Sequence, residues 1–245
     1  ATGVTIYRGD VWPAEMRGWA VVADVGSNLV HRKRLVEDGL LFRAERVDEG
    51  AEFVASDDTW FRPVQFANSP DGSLYLADLY REVVEHPASL PPAIKQQLDL
   101  NAGNDRGRIY RIVPEGFRYS PPKRLSGATV KELVAALDSQ RSWQRDTAAR
   151  LLLERGDVAA APELRALYAS SEHAEARLQT LWLLQRFAAL LDEDLARALA
   201  DVHPRVREHA LRLAAPRLAA SPARRSLALG LTKDSDARVR LELAL

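Results

Sequence analysis

The chain has 245 residues, 47 % of them hydrophobic and 28 % charged, with 34 basic and 34 acidic side chains and a formal net charge of zero. That is an ordinary composition for one large or two medium folded domains, and it leaves no global field to steer the chain toward nucleic acid or an anionic membrane. The absence of cysteine excludes disulfides, thiolate zinc sites, cysteine nucleophiles and covalently attached haem within this chain.

No apolar run approaches the roughly 18 residues of a membrane helix, and "ATGVTIYRGD" has neither a basic nor an apolar leader region. The chain begins without Met and ends in "RVRLELAL", a helix pattern still in progress, so both ends are expected to be cuts through something longer.

The first half reads as β structure, because short apolar or alternating runs recur between turn signals. Strands are expected at Val4 to Arg8, Trp19 to Val25, Leu29 to Val36, Leu41 to Val47, Val64 to Asn68, Ser73 to Leu79 and Arg108 to Val113, with a short one at Phe53 to Ala55. "EDG" and "SPDG" place Asp-Gly in two of the turns, so the strands form antiparallel meanders. From Arg81 to Leu100 the chain leaves this pattern, and "PPAIKQQLDL" predicts a short amphipathic helix begun by Pro.

Composition then changes. Residues 1 to 122 hold 13 of the 17 aromatics and 10 of the 13 Gly, whereas residues 123 to 245 hold 26 Ala and 25 Leu. The boundary falls at about 115 to 125, in "PEGFRYSPPKRLSG", giving domains of 1–118 and 125–245. Helices are expected at Thr129 to Leu137, Ser142 to Arg155, Pro162 to Ala169, Ala174 to Ala189, Glu193 to Ala200, Pro204 to Ala214, Pro222 to Leu231 and Asp236 to Leu245. "DVHPRVREHALRLA" and "DSDARVRLELAL" both read Asp, four residues, Val-Arg, then apolar positions at helical spacing. Aligning Arg145, Arg177, Arg207 and Arg240 gives intervals of 32, 30 and 33 residues, the period of an α-solenoid built from helix pairs. These units resemble the HEAT repeat in its Ala- and Leu-rich form. The resemblance implies structural bonds between units for Asp201, Arg207, Asp234 and Arg240, whereas Arg145 and Arg177 lack an Asp six positions earlier.

Chemical motifs are sparse. The His residues at 31, 86, 173, 203 and 209 form no metal-binding spacing, and neither a nucleophile elbow nor a phosphate loop occurs. "HRKR" lies on a strand and reads as a solvated edge, and "NAGNDRGR" reads as a turn. One cluster remains. "WFRPV" enters a hairpin whose return is "SLYLADLY", so Arg62 and the Asp78 to Arg81 group fall near one end of it. Asp78, Tyr80 and Arg81 would bring together a carboxylate, a phenol and a guanidinium suited to a polar ligand. The competing reading is structural: a loop ion pair between Asp78 and Arg81, with His86 capping the turn before Pro87.

Taken in order, "TIYRGD", "NLVHRKRL", "WFRPV", "PDGSLYLADLYREVVEHP" and "DRGRIYRI" resemble the end of the propeller in a family of large bacterial proteins called membrane-bound dehydrogenases. Its members are similar to soluble glucose and sorbosone dehydrogenases, six-bladed propellers that bind pyrroloquinoline quinone and calcium. HEAT-like repeats, and often a c-type cytochrome, follow the propeller. The resemblance implies a mixed, two-part fold, an antiparallel β-meander of about two partial blades followed by an all-α HEAT-like solenoid. It implies an exported or periplasmic protein that oxidises a sugar or alcohol, with Arg62, Asp78, Tyr80, Arg81 and His86 at the propeller mouth. Since closing a propeller takes at least four blades, this chain alone would be inactive, the quinone and calcium belonging to the longer parent. A protein partner is expected on the solenoid surface, and the competing function is a non-catalytic scaffold that binds protein or polysaccharide.

Overall fold

A computed structural model describes residues 2–218 and 222–245. The chain forms two compact units, Ala1–Val36 with Phe42–Pro121 and Glu37–Leu41 with Pro122–Leu245.

The first unit is antiparallel β structure. Strands β1 (Val4–Ile6), β2 (Ala20–Asp24), β3 (Leu29–Asp38) and β4 (Leu41–Arg46) lie side by side in that order, and β5 (Val54–Ala55) pairs with the start of β3. A second sheet follows in the order β6 (Pro63–Asn68), β7 (Leu74–Asp78) and β8 (Arg108–Ile112). Between β7 and β8 the chain makes a long excursion whose helical content is a 3-10 turn at Pro87–Ser89 and one α-helical turn, α1 (Pro92–Lys95). Alternation does the sorting: along β7, Leu74, Leu76 and Asp78 point inward while Tyr75 and Ala77 stay partly open. The core gathers Tyr7, Met16, Val21, Val30, Phe61, Phe66, Leu74 and Leu76.

β1 is shorter than the pattern Val4 to Arg8 predicts, because the chain beyond Ile6 turns onto the β6–β7 hairpin. The Tyr7 hydroxyl donates to the Gly72 carbonyl at 2.8 Å, and the Asn68 amide both donates to Ile6 O at 2.9 Å and accepts from Arg8 N–H at 2.7 Å. The approach is close enough to demand glycine: a Cβ on Gly9 would fall 1.8 Å from the Gly72 carbonyl oxygen.

The second unit is helical: α2 (Val130–Ala136), α3 (Ser142–Arg155), α4 (Ala161–Ser170), α5 (Ala174–Arg186), α6 (Asp192–Leu199), α7 (Pro204–Leu218), α8 (Pro222–Leu229) and α9 (Ala237–Ala244). Local chemistry sets several ends. Thr129 and Glu132 form a capping box on α2, Gly156 at φ 65° stops α3, and Asp236 caps α9. Consecutive helices pair, α2 with α3, α4 with α5, and α6 with α7. Helices α3, α5, α7 and α9 then pack in succession as one layer. Leu133, Leu137, Leu152, Leu164, Leu181, Leu184, Leu195 and Val206 fill the space between the layers.

One interaction recurs at each step. The Nη1 groups of Arg145, Arg177, Arg207 and Arg240 donate to the carbonyls of Ser139, Ser171, Asp201 and Asp234, at 2.6, 3.0, 2.8 and 2.5 Å. Each arginine thus grips the backbone six residues before itself, where its own helix begins. Two of them also reach forward: Arg177 holds Asp201 in a bidentate pair at 2.7 and 2.8 Å, and Arg207 holds Asp234 likewise. Asp201 further accepts from the Tyr168 hydroxyl at 2.8 Å and from His203 N–H at 2.8 Å. The Ser residues at 139 and 171 do not interrupt the series, because the acceptor there is the carbonyl and not the side chain.

A second joint links α5 to α7. The Trp182 indole donates to His209 Nδ1 at 3.1 Å, and an indole N–H can only donate, so this nitrogen must be unprotonated. Burial, with Arg212 second, pushes the His209 pKa down, against the opposing pull of Glu208 and Glu242. A folded pKa below the unfolded value of about 6.5 means stability that is complete above pH 6.5 and lost as pH falls below it. The thermal midpoint is expected to fall by about 2 °C or more between pH 7.5 and 5.5, and His209→Asn should flatten that dependence. Identical pH profiles for the two proteins would remove His209 as the cause.

Candidate functional site

The hairpin end formed by β6 and β7 is organised around Asp78. As the last residue of β7 it sits opposite Pro63 on one side and Arg108 on the other. Its side chain is wholly buried, and Oδ1 accepts the N–H groups of Arg62 at 2.7 Å and Tyr80 at 2.8 Å. Oδ2 accepts no hydrogen bond, and Arg108 Nε lies 4.0 Å from it. Asp78 therefore pairs with Arg108 across the sheet rather than with Arg81 along the loop.

Tyr80 takes a left-handed backbone, φ 49°, a conformation that the Asp78 carboxylate holds through the Tyr80 N–H. Its ring meets Trp60 edge-on at 5.7 Å, and the Arg108 guanidinium lies 3.6 Å from the ring centre. A hydrogen bond to Asp58 is the main cause, before burial, of an upward shift in the phenol's pKa, so the ring stays neutral at ordinary pH. The long excursion returns to this point: Gly103, at φ 81°, approaches so closely that a Cβ there would fall 2.3 Å from the Tyr80 carbonyl oxygen.

Arg62 faces the backbone. Its guanidinium donates to the carbonyls of Val25 at 2.9 Å, Arg81 at 2.9 Å and Glu82 at 2.8 Å, so its donors tie the end of β2 to the loop after β7. Arg81 contributes its own backbone to that joint and donates its N–H to Trp60 O at 3.2 Å. His86 is exposed and turns in on its own loop, Nδ1 accepting from Ala88 N–H at 3.1 Å and its carbonyl from Ser89 N–H at 2.8 Å. The fold thus gathers Arg62, Asp78, Tyr80 and the Arg81 backbone, while His86 caps the next turn.

The residues that sequence reasoning did not select are Trp60, Asp58, Tyr110, whose hydroxyl accepts from Arg108 Nη1 at 3.5 Å, and above all Arg108. Arg108 stands in "DRGRIYRI", and its only signal was membership of that motif, since it lies 30 positions from Asp78. Chemically the arrangement offers a guanidinium on an aromatic face beside a buried carboxylate oxygen that lacks a donor. That set suits recognition of a polar ligand able to donate a hydrogen bond. Nothing in it positions a base against a reacting proton.

Among known proteins, residues 1–116 match the family described as a domain of unknown function, DUF7133, which covers most of the β unit. No curated protein and no solved structure matches the chain.

Proposed function

We propose that the β unit is a propeller segment of an exported, quinone-dependent, dehydrogenase-like protein acting on sugars or related alcohols, and that the helical unit is its HEAT-like docking module. The observation that carries this reading is the hairpin end itself, where Asp78 keeps one buried oxygen without a hydrogen-bond donor beside Arg108 and the Tyr80 ring. Two successive antiparallel sheets followed by helix pairs locked at each step support the same architecture.

Within it, the residues divide by role. Tyr80 and Arg108 are the ligand-facing wall, the buried Asp78 carboxylate fixes their backbone and charge from behind, and Arg62 with the Arg81 backbone is the brace that holds the wall. The wall does not make a quinone or calcium site by itself, because Arg62 is committed to carbonyls and the Asp78 carboxylate is half engaged. Among the described residues no group of three or more His, Asp or Glu is placed to hold a metal ion.

The test is dye-linked sugar oxidation by the natural full-length protein supplied with quinone and calcium. Asp78→Asn and Arg108→Ala are each expected to cut kcat/KM about tenfold or more while leaving the thermal midpoint of the helical unit unchanged. Turnover that both variants leave intact would overturn the site. A second reading, a non-catalytic scaffold binding protein or polysaccharide, is favoured by the threefold carbonyl grip of Arg62, which makes this hairpin end rigid before any ligand arrives. Absence of turnover in the full-length wild type under every electron acceptor tried would select it.

A further inference from the structure

Burial runs out on β8. Opposite the fully buried Leu74 and Leu76 of β7 stand Ile112, half-buried, and Tyr110, 39 % exposed. On the other face Ile109 is 74 % exposed and Val113, just past the strand, 37 %. β8 is the outer strand of its sheet, and among the described residues no strand pairs with its far side. Open apolar side chains on both faces, next to a row of backbone groups without a ladder partner, are the features that an added strand covers.

Charge decides what that strand is. Arg106, Arg108 and Arg111 line the edge, with the exposed acids Asp105 and Glu115 lying outside the strand at either end. Behind them Asp71 and Asp78 are buried, each with one oxygen that accepts no hydrogen bond. Arg111 stands 3.6 Å from the first and Arg108 4.0 Å from the second, beyond hydrogen-bonding length, so neither guanidinium is locked onto its carboxylate. A second copy of β8 would bring a like set of cations to the same edge, which disfavours self-pairing. An acidic segment meets no such penalty.

We propose that β8 takes an extended acidic and apolar polypeptide segment as a fourth antiparallel strand. Acidic residues would lie opposite Arg108 and Arg111, and apolar ones opposite Ile109, Tyr110 and Ile112. The partner's matching pattern is therefore Val-Glu-Val-Val-Glu or a close equivalent. Backbone bonds would supply the pairing, and the two arginines the selection between charge patterns. The edge would act in this way whether or not the hairpin end binds a sugar.

The experiment uses the whole chain and a short soluble peptide containing Val-Glu-Val-Val-Glu, with Val-Lys-Val-Val-Lys as its counterpart, read by backbone amide exchange. The acidic peptide should slow exchange in β8 saturably and bind about tenfold more tightly than the basic one. In Arg108→Glu/Arg111→Glu the preference should reverse, a gain of binding that a misfolded variant could not produce. No slowing in β8 at about 1 mM acidic peptide would overturn the proposal, and so would equal binding of both peptides. A dimer by light scattering that Tyr110→Lys dissolves would also overturn it, giving the edge to a second copy instead.

Discussion

Asp201→Ala should destabilise the helical unit by about 3–5 kcal/mol, the loss typical of breaking a buried ion pair by removing one partner. Arg177 and Asp201 have side chains only 9 % and 5 % exposed, so the variant strands a guanidinium that the fold has already taken out of water. It also removes the acceptor for the Tyr168 hydroxyl and for His203 N–H. Urea denaturation followed by helical circular dichroism measures the effect, and a loss below about 1 kcal/mol would mean that the pair behaves like a surface bridge. Replacing both partners by apolar residues, Arg177→Met with Asp201→Leu, should recover much of the loss, because no unpaired charge remains. Burial works against ionisation of Asp201, but Arg177, His203 N–H and the Tyr168 hydroxyl outweigh it and hold its carboxyl below the usual range. Its stabilisation is therefore present above the unfolded carboxylate pKa of about 3.9 and lost as pH falls through the lower folded value.

Arg62→Ala is expected to cost the β unit about 3 kcal/mol and to loosen the chain from Leu79 to Glu82. Each carbonyl left without its donor costs about 1 kcal/mol, the low end of the range because Arg62 is only part-buried. Arg62→Lys should restore little, since an ammonium cannot span the three carbonyls that a planar guanidinium bridges. Amide exchange at Leu79 and Arg81, which donate to Arg62 O and Trp60 O, gives a local readout. If Arg62 were instead a ligand-binding residue with no bracing role, the alanine variant would exchange at the wild-type rate.

The helices were legible because their punctuation is local. Pro204 and Pro222 open helices where a missing N–H costs nothing, and Gly156 closes one where positive φ is required. The Asp-to-Arg spacing was legible too, but its first two copies looked defective, because a pattern of side chains cannot reveal that a carbonyl is the acceptor at Ser139 and Ser171. At the hairpin end, spacing brought Arg62, Asp78 and Tyr80 together correctly. It could not say where the Arg62 guanidinium points, since its acceptors are backbone carbonyls of two separate segments, Val25 and the consecutive Arg81 and Glu82. Arg108 was illegible for a different reason. Its register opposite Asp78 depends on how the excursion after β7 closes, and little local periodicity governs that segment.

The repeated arginine grip also bears on how this array could change length. Arg177 and Arg207 occupy equivalent positions, each holding the backbone at the start of its own helix and the aspartate of the following unit. Excising the segment between one such arginine and the next would hand Arg177 the carboxylate of Asp234 in place of Asp201, with the same chemistry on both sides of the seam. Inserting a unit would add one more link of the same kind. The arginine joints are thus interchangeable couplings, whereas the Trp182–His209 contact is particular to its step and would be lost with the excised segment.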